Sequence, residues 1–541
     1  MHETASPSKH TSLKREPKVM SAETPPVLFQ GEMNVKKRIT LISTIAVFFM
    51  LIALPCLVML LLFERIVDTK ISESIKLQNG SAAFKSWKTK SSPSKFAVYL
   101  YNLTNPDQVL AGERPNLTVI GPYVYWKEVR KLNISWTSVD GTPAISYLKR
   151  SIYIFDPILS SGNPKLDKII SANLPILAIS AANNAGRGPS SGTIEMIKFF
   201  SSPKIFTRQS VDGFLWGYED TTLCLCRMFF PEICPIDRVG LLSNSNNTMK
   251  GPYVIDSGIN NSTNTGSFIT IKGSRSLNIW STEKANAIHG TDGFRLARNI
   301  QLSDSREIFV TLLCQPITLN ATKISRPKAF TELEVVEMEL DTDSRTLKET
   351  YCPLKVSGPP CPPKGYYDIS QCSVPGDVSP PVFASLPRFM DKPIDNAFIV
   401  REVDQTRDKF RLLAEPKTGI VVEAHVRLLV NVHIQRSPHM TDLFMNISDP
   451  MYLPMAWFEN DIEGSSKDLK QLHDALYRIY CCLCLTRQNP SVQSLLLDPP
   501  ADSAVDLFTK NSDTMSSKIS PWSNSVHSKS ENQDGSETNS L

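Results

Sequence analysis

The stretch "FAVYLYNLTNPDQVLAGERPNLTVIGPYVYW", Phe96–Trp126, holds two runs rich in aromatic and β-branched residues, Phe96–Leu103 and Leu117–Trp126. Between them stand Pro106, Gly112 and Pro115, residues that fix or free the backbone and so end regular structure. Runs of this length bounded by turn residues read as β-strands. The same texture returns in "AISYLKRSIYIF" (Ala144–Phe155), "IFVTLLC" (Ile308–Cys314) and "GIVVEAHVRLLVNVHI" (Gly419–Ile434). No shift of composition interrupts it from residue 64 to about 460, so this span is expected to be one large β-rich domain. Proline outnumbers glycine, 38 to 24, which favours fixed turns over long helices.

One insertion differs. "PKLDKIISANLPILAIS" (164–180), "GTIEMIKFFSS" (192–202) and "FTRQSVDGFLWGYED" (206–220) carry helical spacing, and Ile194, Ile197, Lys198 and Ser201 approximate one helix face. A few helices are expected between about 164 and 218, joined by the loop "NNAGRGPSSG". Lys198, Lys204 and Arg208 lie there beside Phe199, Phe200, Ile205 and Phe206. Such a mix is either a solvated helix face, the commoner outcome, or a cationic patch that captures anionic particles.

Upstream, "ITLISTIAVFFMLIALPCLVMLLLF" (39–63) contains no charged side chain. Its 25 residues would make a helix of about 37 Å, enough to cross a hydrocarbon core of about 30 Å and too long for a signal-peptide core. Basic residues dominate the preceding side: Lys9, Lys14, Arg15, Lys18, Lys36, Lys37 and Arg38, against Arg65, Lys70 and Lys76 after it. The positive-inside rule then makes residues 1–38 a cytoplasmic tail, 39–63 a permanent transmembrane helix, and the chain beyond residue 63 extracellular or lumenal.

Two independent features agree with that side. The Asn-X-Ser/Thr acceptors, Asn79, Asn102, Asn116, Asn133, Asn246, Asn260, Asn261, Asn320 and Asn446, all fall between residues 79 and 446. Seven cysteines, Cys224, Cys226, Cys234, Cys314, Cys352, Cys361 and Cys372, lie in the same region, where an oxidising compartment makes disulfides the default and an odd number leaves one over.

Chemistry is sparse. "GPSSG" matches G-x-S-x-G at Ser190, but a polar turn precedes it where a nucleophile elbow needs an apolar strand. No phosphate loop, dinucleotide fingerprint or zinc-protease motif occurs, and the eight histidines have no metal-ligand spacing. The net charge of +4 is too balanced to suggest nucleic acid. The expectation is a protein that is not an enzyme, with no metal and no cofactor.

Seven strings in order carry a resemblance: residues 96–131, "LWGYED" (215–220), "GTDGF" (290–294), "CPPKGYYDISQC" (361–372), "PVFASLPRFM" (381–390), "EPKTG" (415–419) and "YLPMAWFE" (452–459). The chain resembles the class B scavenger receptors, which include fatty-acid translocases, high-density-lipoprotein receptors, the lysosomal integral membrane protein and insect sensory-neuron membrane proteins. The resemblance implies a mainly β fold with a helical cap (α+β): an antiparallel β-barrel ectodomain over residues 64–460, crossed by an apolar tunnel and capped by the helices at 164–218. It implies a plasma-membrane or endolysosomal receptor that binds lipoprotein particles, fatty acids, sterols or phospholipids at the cap, with Lys198, Phe199, Phe200, Lys204 and Arg208 as candidate contacts, and passes lipid toward the bilayer. A protein-sorting or adhesion receptor using the same cap is the alternative; self-association into a homo-oligomer is left open.

Carried over residue by residue, the family's disulfides imply Cys352–Cys361 and half of another pair at Cys372. Its usual partner position is Ser305 here, and Cys314 stands nine residues on as a substitute. A third pair is replaced on both sides, by Ala285 and Thr350, while Cys224 or Cys226 could bond Cys234. The family also has a second span after "YLPMAWFE". The corresponding place here reads "NDIEGSSKDLKQLHDALYRIYCCLCLTRQNP", whose best apolar run has only seven residues, Ile479–Leu485. The expectation is a single-span protein with residues 461–541 largely disordered and outside the cell. Cys481, Cys482 and Cys484 resemble a family stretch that is acylated when cytoplasmic.

Overall fold

A computed structural model describes residues 35–485, apart from 90–92, 230, 232–233, 235–236, 342–350, 354–360, 364, 374–378, 388–407 and 449. The chain divides into two units, the first ending at Arg65 and the second beginning at Ile66. In the first, helix α1 (Val35–Ile75) presents an apolar segment, Lys36–Pro55, long enough to cross a membrane. It is the one such helix among the described residues.

The second unit takes over at the end of the same helix. Val67, Ile71 and Ile75 are buried at four-residue spacing, one face of a helix turn. Helix formation thus runs twelve residues beyond the apolar stretch that ends at Phe63, because a second apolar face continues the periodicity. Asp68 pairs with Arg298, and Arg295 Nη1 donates to the carbonyl of Ile75 at 2.7 Å.

After α2 (Ala82–Lys88) come the strands β1 (Ser94–Leu103), β2 (Leu117–Val139), β3 (Thr142–Asp156), β4 (Lys168–Ala172), β5 (Phe206–Ser210), β6 (Met249–Asp256) and β7 (Phe268–Ile271). The later half adds β8 (Ser305–Val310), β9 (Gln315–Ser325), β10 (Val335–Leu340), β11 (Tyr367–Asp368), β12 (Val382–Ser385), β13 (Arg411–Ala414), β14 (Val421–Ile434) and β15 (Met451–Glu463). Thirteen of them form one sheet along the path β7-β6-β3-β2-β1-β15-β14-β13-β10-β9-β8, with β12 also on β14 and β11 on β12; every named pairing is antiparallel.

The sheet nearly closes on itself. Thr291 bridges Ser267, beside β7, and Ile308 on β8, so one residue joins the two edges of the path. The N–H of Phe268 donates to Gly290 O at 2.9 Å and that of Phe309 to Thr291 O at 2.7 Å. Closure removes the free edges that would otherwise invite pairing with another chain.

Two turn motifs are explained by backbone approach. Gly121 lies at φ +115 beside the register shift between Val98 and Leu100, where a Cβ would meet Val98 O at 2.7 Å. Gly419 has φ +72, and a Cβ there would stand 2.1 Å from Leu296 O, the edge it pairs with. Glu415 pins that turn by accepting from the N–H of Thr418 at 2.7 Å.

The sequence expectation needs three adjustments. "IFVTLLC" is strand only through Val310; Thr311–Cys314 forms the turn that lets Val310 face Gln315. The helical insertion comprises α4 (Leu174–Asn184), α5 (Ser191–Ser201), α6 (Val211–Trp216) and α7 (Thr221–Phe229), so it extends beyond 218, and it contains the two-stranded β4–β5 ribbon. Short helices α3 (Pro106–Leu110), α8 (Glu283–Asn286), α9 (Ser370–Ser373) and α10 (Thr441–Phe444) sit in connections. Finally, α11 (Ser466–Leu485) is helical where disorder was expected, seated by Leu469 in a cluster with Leu333, Val335, Leu413 and Val422. Residues 486–541, with Thr350, lie outside the described residues.

Candidate functional site

The cap is built from α4 outward. Residues Leu174–Ala182 are all buried, so α4 is the hydrophobic centre of the insertion. Ser190 begins α5 by accepting from the N–H of Thr193 at 3.3 Å; its hydroxyl caps a helix. Ile194 and Ile197 face inward, and Ser201 meets Thr222 of α7 at 3.3 Å. On the opposite side Phe199 and Phe200 are 80% and 62% exposed, with their rings edge to face at 5.2 Å.

Lys198 does not stand free beside them. Its Nζ lies 2.9 Å from both Asp442 and Glu195, and these hydrogen bonds, Asp442's first, raise its pKa. Lys204 is exposed in the connector after α5, and Arg208 is exposed on β5 opposite Ile170. The five candidate residues therefore occupy three elements, with the aromatic pair presented outward and one of the three cations already neutralised.

A second constellation lies on the inner face of the sheet. On β2, alternate residues Tyr125, Lys127, Val129 and Lys131 share a face. The register sets Lys127 opposite Tyr153 and Lys131 opposite Lys149 on β3, and Lys149 opposite Lys250 on β6. Trp216 of α6 packs on Tyr125 and Tyr153 at 5.2 and 5.1 Å, so the cap touches one end of this face. Farther along, the Lys127 ammonium lies 5.9 Å from the Phe96 ring centre and 5.6 Å from that of Tyr153. Lys131 lies 4.9 Å from Trp87 of α2 and 4.8 Å from Phe294, and donates to Trp87 O at 2.9 Å.

Burial pushes the ammonium groups of Lys127 and Lys131 down to about 8 and lowers that of Lys149. Nearby Asp292 favours the charged forms of Lys131 and Lys149, whereas Lys127 and Lys250 oppose that of Lys149. All three side chains nonetheless keep part of their surface open. The three side chains are thus partly desolvated by the protein around them while keeping some contact with water.

The profile of the CD36 family matches residues 45–485. The chain belongs to the CD36 family. Lysosome membrane protein 2 of Homo sapiens is 28% identical over 417 residues, 76% of this chain and 83% of that protein. Scavenger receptor class B member 1 of Bos taurus is 24% identical over 484 residues, 86% of this chain and 91% of that protein. The CD36 family consists of membrane receptors, not enzymes, and this chain is one of them.

In this member of the CD36 family, the seven cysteines between residues 224 and 372 form Cys352–Cys361, Cys314–Cys372 and Cys226–Cys234, leaving Cys224 exposed and unbonded. Ala285 is buried, and Ser305 bonds Asn320 across the β8–β9 pair. Of the acceptor asparagines, Asn79, Asn116, Asn133, Asn246, Asn260, Asn261 and Asn446 are exposed. Asn102 and Asn320 are half-buried, and Asn102 Oδ1 accepts from the N–H of Ile170 at 2.8 Å. Cys481, Cys482 and Cys484 fall in the last turns of α11. The interior lysines are the residues that sequence reading missed. In "YWKEVRK" they look like the polar half of an alternating strand.

Proposed function

We propose that this receptor binds lipids or lipoprotein particles at its helical cap and passes lipid through the enclosed interior of its barrel toward the membrane. The observation that carries the reading is the inner face itself: aromatic rings run from Trp216 beside the cap to Trp87 of α2, and the lysines among them are desolvated but still reachable by water. An enclosed route of this kind keeps an acyl chain out of bulk water, which otherwise costs about 25 cal/mol per Å² of apolar surface. In this reading residues 1–38 are cytoplasmic, 39–63 span the bilayer, 64–460 are the glycosylated ectodomain, and Phe199, Phe200, Lys204 and Arg208 meet the incoming particle. The test is mass spectrometry of lipids that co-purify with the full-length chain. Enrichment of a few amphiphile classes over the host membrane is expected, and a composition equal to that of the host membrane overturns the reading.

The exposed Phe199–Phe200 pair also favours a second reading, in which the same cap docks a protein cargo. Capture of a protein by the cap with no lipid enriched in the purified receptor would select it.

A further inference from the structure

The barrel closes through one narrow seam. Elsewhere neighbouring strands share runs of register pairs, six between β8 and β9 and twelve between β14 and β15. Between β7 and β8 there is no register pair among the described residues, and residues 289–291 stand between them. Among the described residues one backbone hydrogen bond reaches each edge: Phe268 N–H to Gly290 O at 2.9 Å, and Phe309 N–H to Thr291 O at 2.7 Å. The rings of Phe268 and Phe309 meet edge to face at 5.9 Å across the gap. So few bonds make the seam a place where the sheet opens at low cost.

One side-chain pair reinforces it. His289 Nδ1 lies 2.8 Å from Glu307 Oε2 on β8. The approach is close: Gly290 has φ +87, and a Cβ there would stand 3.1 Å from Glu307 O. The groups facing the pair are Lys284 of α8, whose charge acts on both partners, and Tyr351, which feels Glu307. The hydrogen bond with Glu307 raises the pKa of His289 above its ordinary 6.5, with burial and Lys284 opposing. The same bond lowers that of Glu307 below its ordinary 4.5.

A charge-assisted hydrogen bond is about twice as strong as a neutral one, so the pair is firmest while His289 is protonated and Glu307 is ionised. The share of His289 is present below 6.5 and is lost as pH rises through its raised folded value. The share of Glu307 is present above 4.5 and is lost as pH falls through its lowered folded value. We propose that His289 and Glu307 form an acid-strengthened clasp on the barrel seam, which holds β7 and β8 together most firmly in a mildly acidic lumen and loosens at neutral pH. The clasp does not depend on what the barrel interior carries. His425 is paired as well, with Asp461 at 2.9 Å, but within the long β14–β15 register, where backbone pairing holds the strands without it.

The test is amide hydrogen exchange of the full-length receptor in neutral-lipid nanodiscs at pH 5.5 and 7.4, each rate divided by its intrinsic value at that pH. Peptides holding Phe268 and Phe309 should be roughly two- to fivefold better protected at pH 5.5, the range expected of a part-exposed ion pair. H289Q and E307Q should each abolish the contrast, and H425Q should keep it. K284M retains both partners and removes the charge that opposes protonation of His289, so it should move the midpoint of the contrast to higher pH. Equal protection at the two pH values in wild type, a contrast that survives in folded H289Q, or a midpoint unmoved or lowered in K284M overturns the clasp.

Discussion

Lys131 and Lys149 face each other directly across the β2–β3 pair, two ammonium groups on the inner face of a nearly closed sheet. Removing one should relieve repulsion in the ligand-free receptor. K149M is expected to raise stability by roughly 0.5–1 kcal/mol, seen as a higher unfolding midpoint at low salt. A lowered midpoint would mean that Lys149 is favourably paired in the folded receptor.

The same lysines predict an unusual pH profile. At pH 7 Lys127 and Lys131 are protonated in both the folded and the unfolded chain. Burial lowers their folded values from 10.5 to about 8, so between those values the unfolded chain binds more protons. Stability therefore rises with pH from about 8 toward 10.5, before general alkaline effects intervene. Melting curves from pH 7 to 9.5 should show a slope that K127M/K131M flattens, and equal slopes for both proteins would refute the assignment.

Cys226, not Cys224, bonds Cys234. C226S should cost about 2–4 kcal/mol, whereas C224S should stay within about 0.5 kcal/mol of wild type. Non-reducing peptide mapping decides it directly, and the same digest reports Cys314–Cys372 and Cys352–Cys361. A free thiol at Cys226 or Cys361 would contradict the pairing.

At the cap, F199S/F200S should reduce capture of lipoprotein particles severalfold without changing the unfolding midpoint, since both rings are exposed. K204E/R208E should weaken capture of anionic particles chiefly at low salt, because exposed charges are screened over about 10 Å at 0.1 M. Replacing Lys198 by Glu is a poorer probe, as it would place three carboxyl groups together with Glu195 and Asp442. Full capture by the phenylalanine variant would move the docking surface elsewhere.

Segment 467–485 should stay out of the bilayer. It carries Lys467, Asp468, Lys470, Asp474 and Arg478, each costing about 2.5–3.5 kcal/mol near a membrane centre, and Leu469 is buried in a cluster with Leu333, Val335, Leu413 and Val422. An epitope tag after Leu541 should be labelled on intact cells. Labelling only after permeabilisation would place the C-terminus in the cytoplasm, beside lipidation of Cys481, Cys482 and Cys484.

Much of this receptor was legible in its sequence, for a local reason. The charge-free run 39–63 needs no partner to declare itself, and the runs around Phe96, Ala144 and Val421 announce strands by their own composition. What remained hidden depends on phase, register and closure. Cys224 and Cys226 are two residues apart, about 200° around a helix, so only the seating of α7 decides which one turns inward. Phe199 and Phe200 could be named as candidate contacts from the sequence, but only the seating of α5 on Ile194 and Ile197 decides that both rings stay outside. Lys131, Lys149 and Lys250 are spread over about 120 residues, and a one-residue slip in either strand pairing would send a lysine to the other face. Register is set by the whole sheet burying its apolar face at once, with Thr291 joining its edges, and that sum of long-range contacts is written in no single segment.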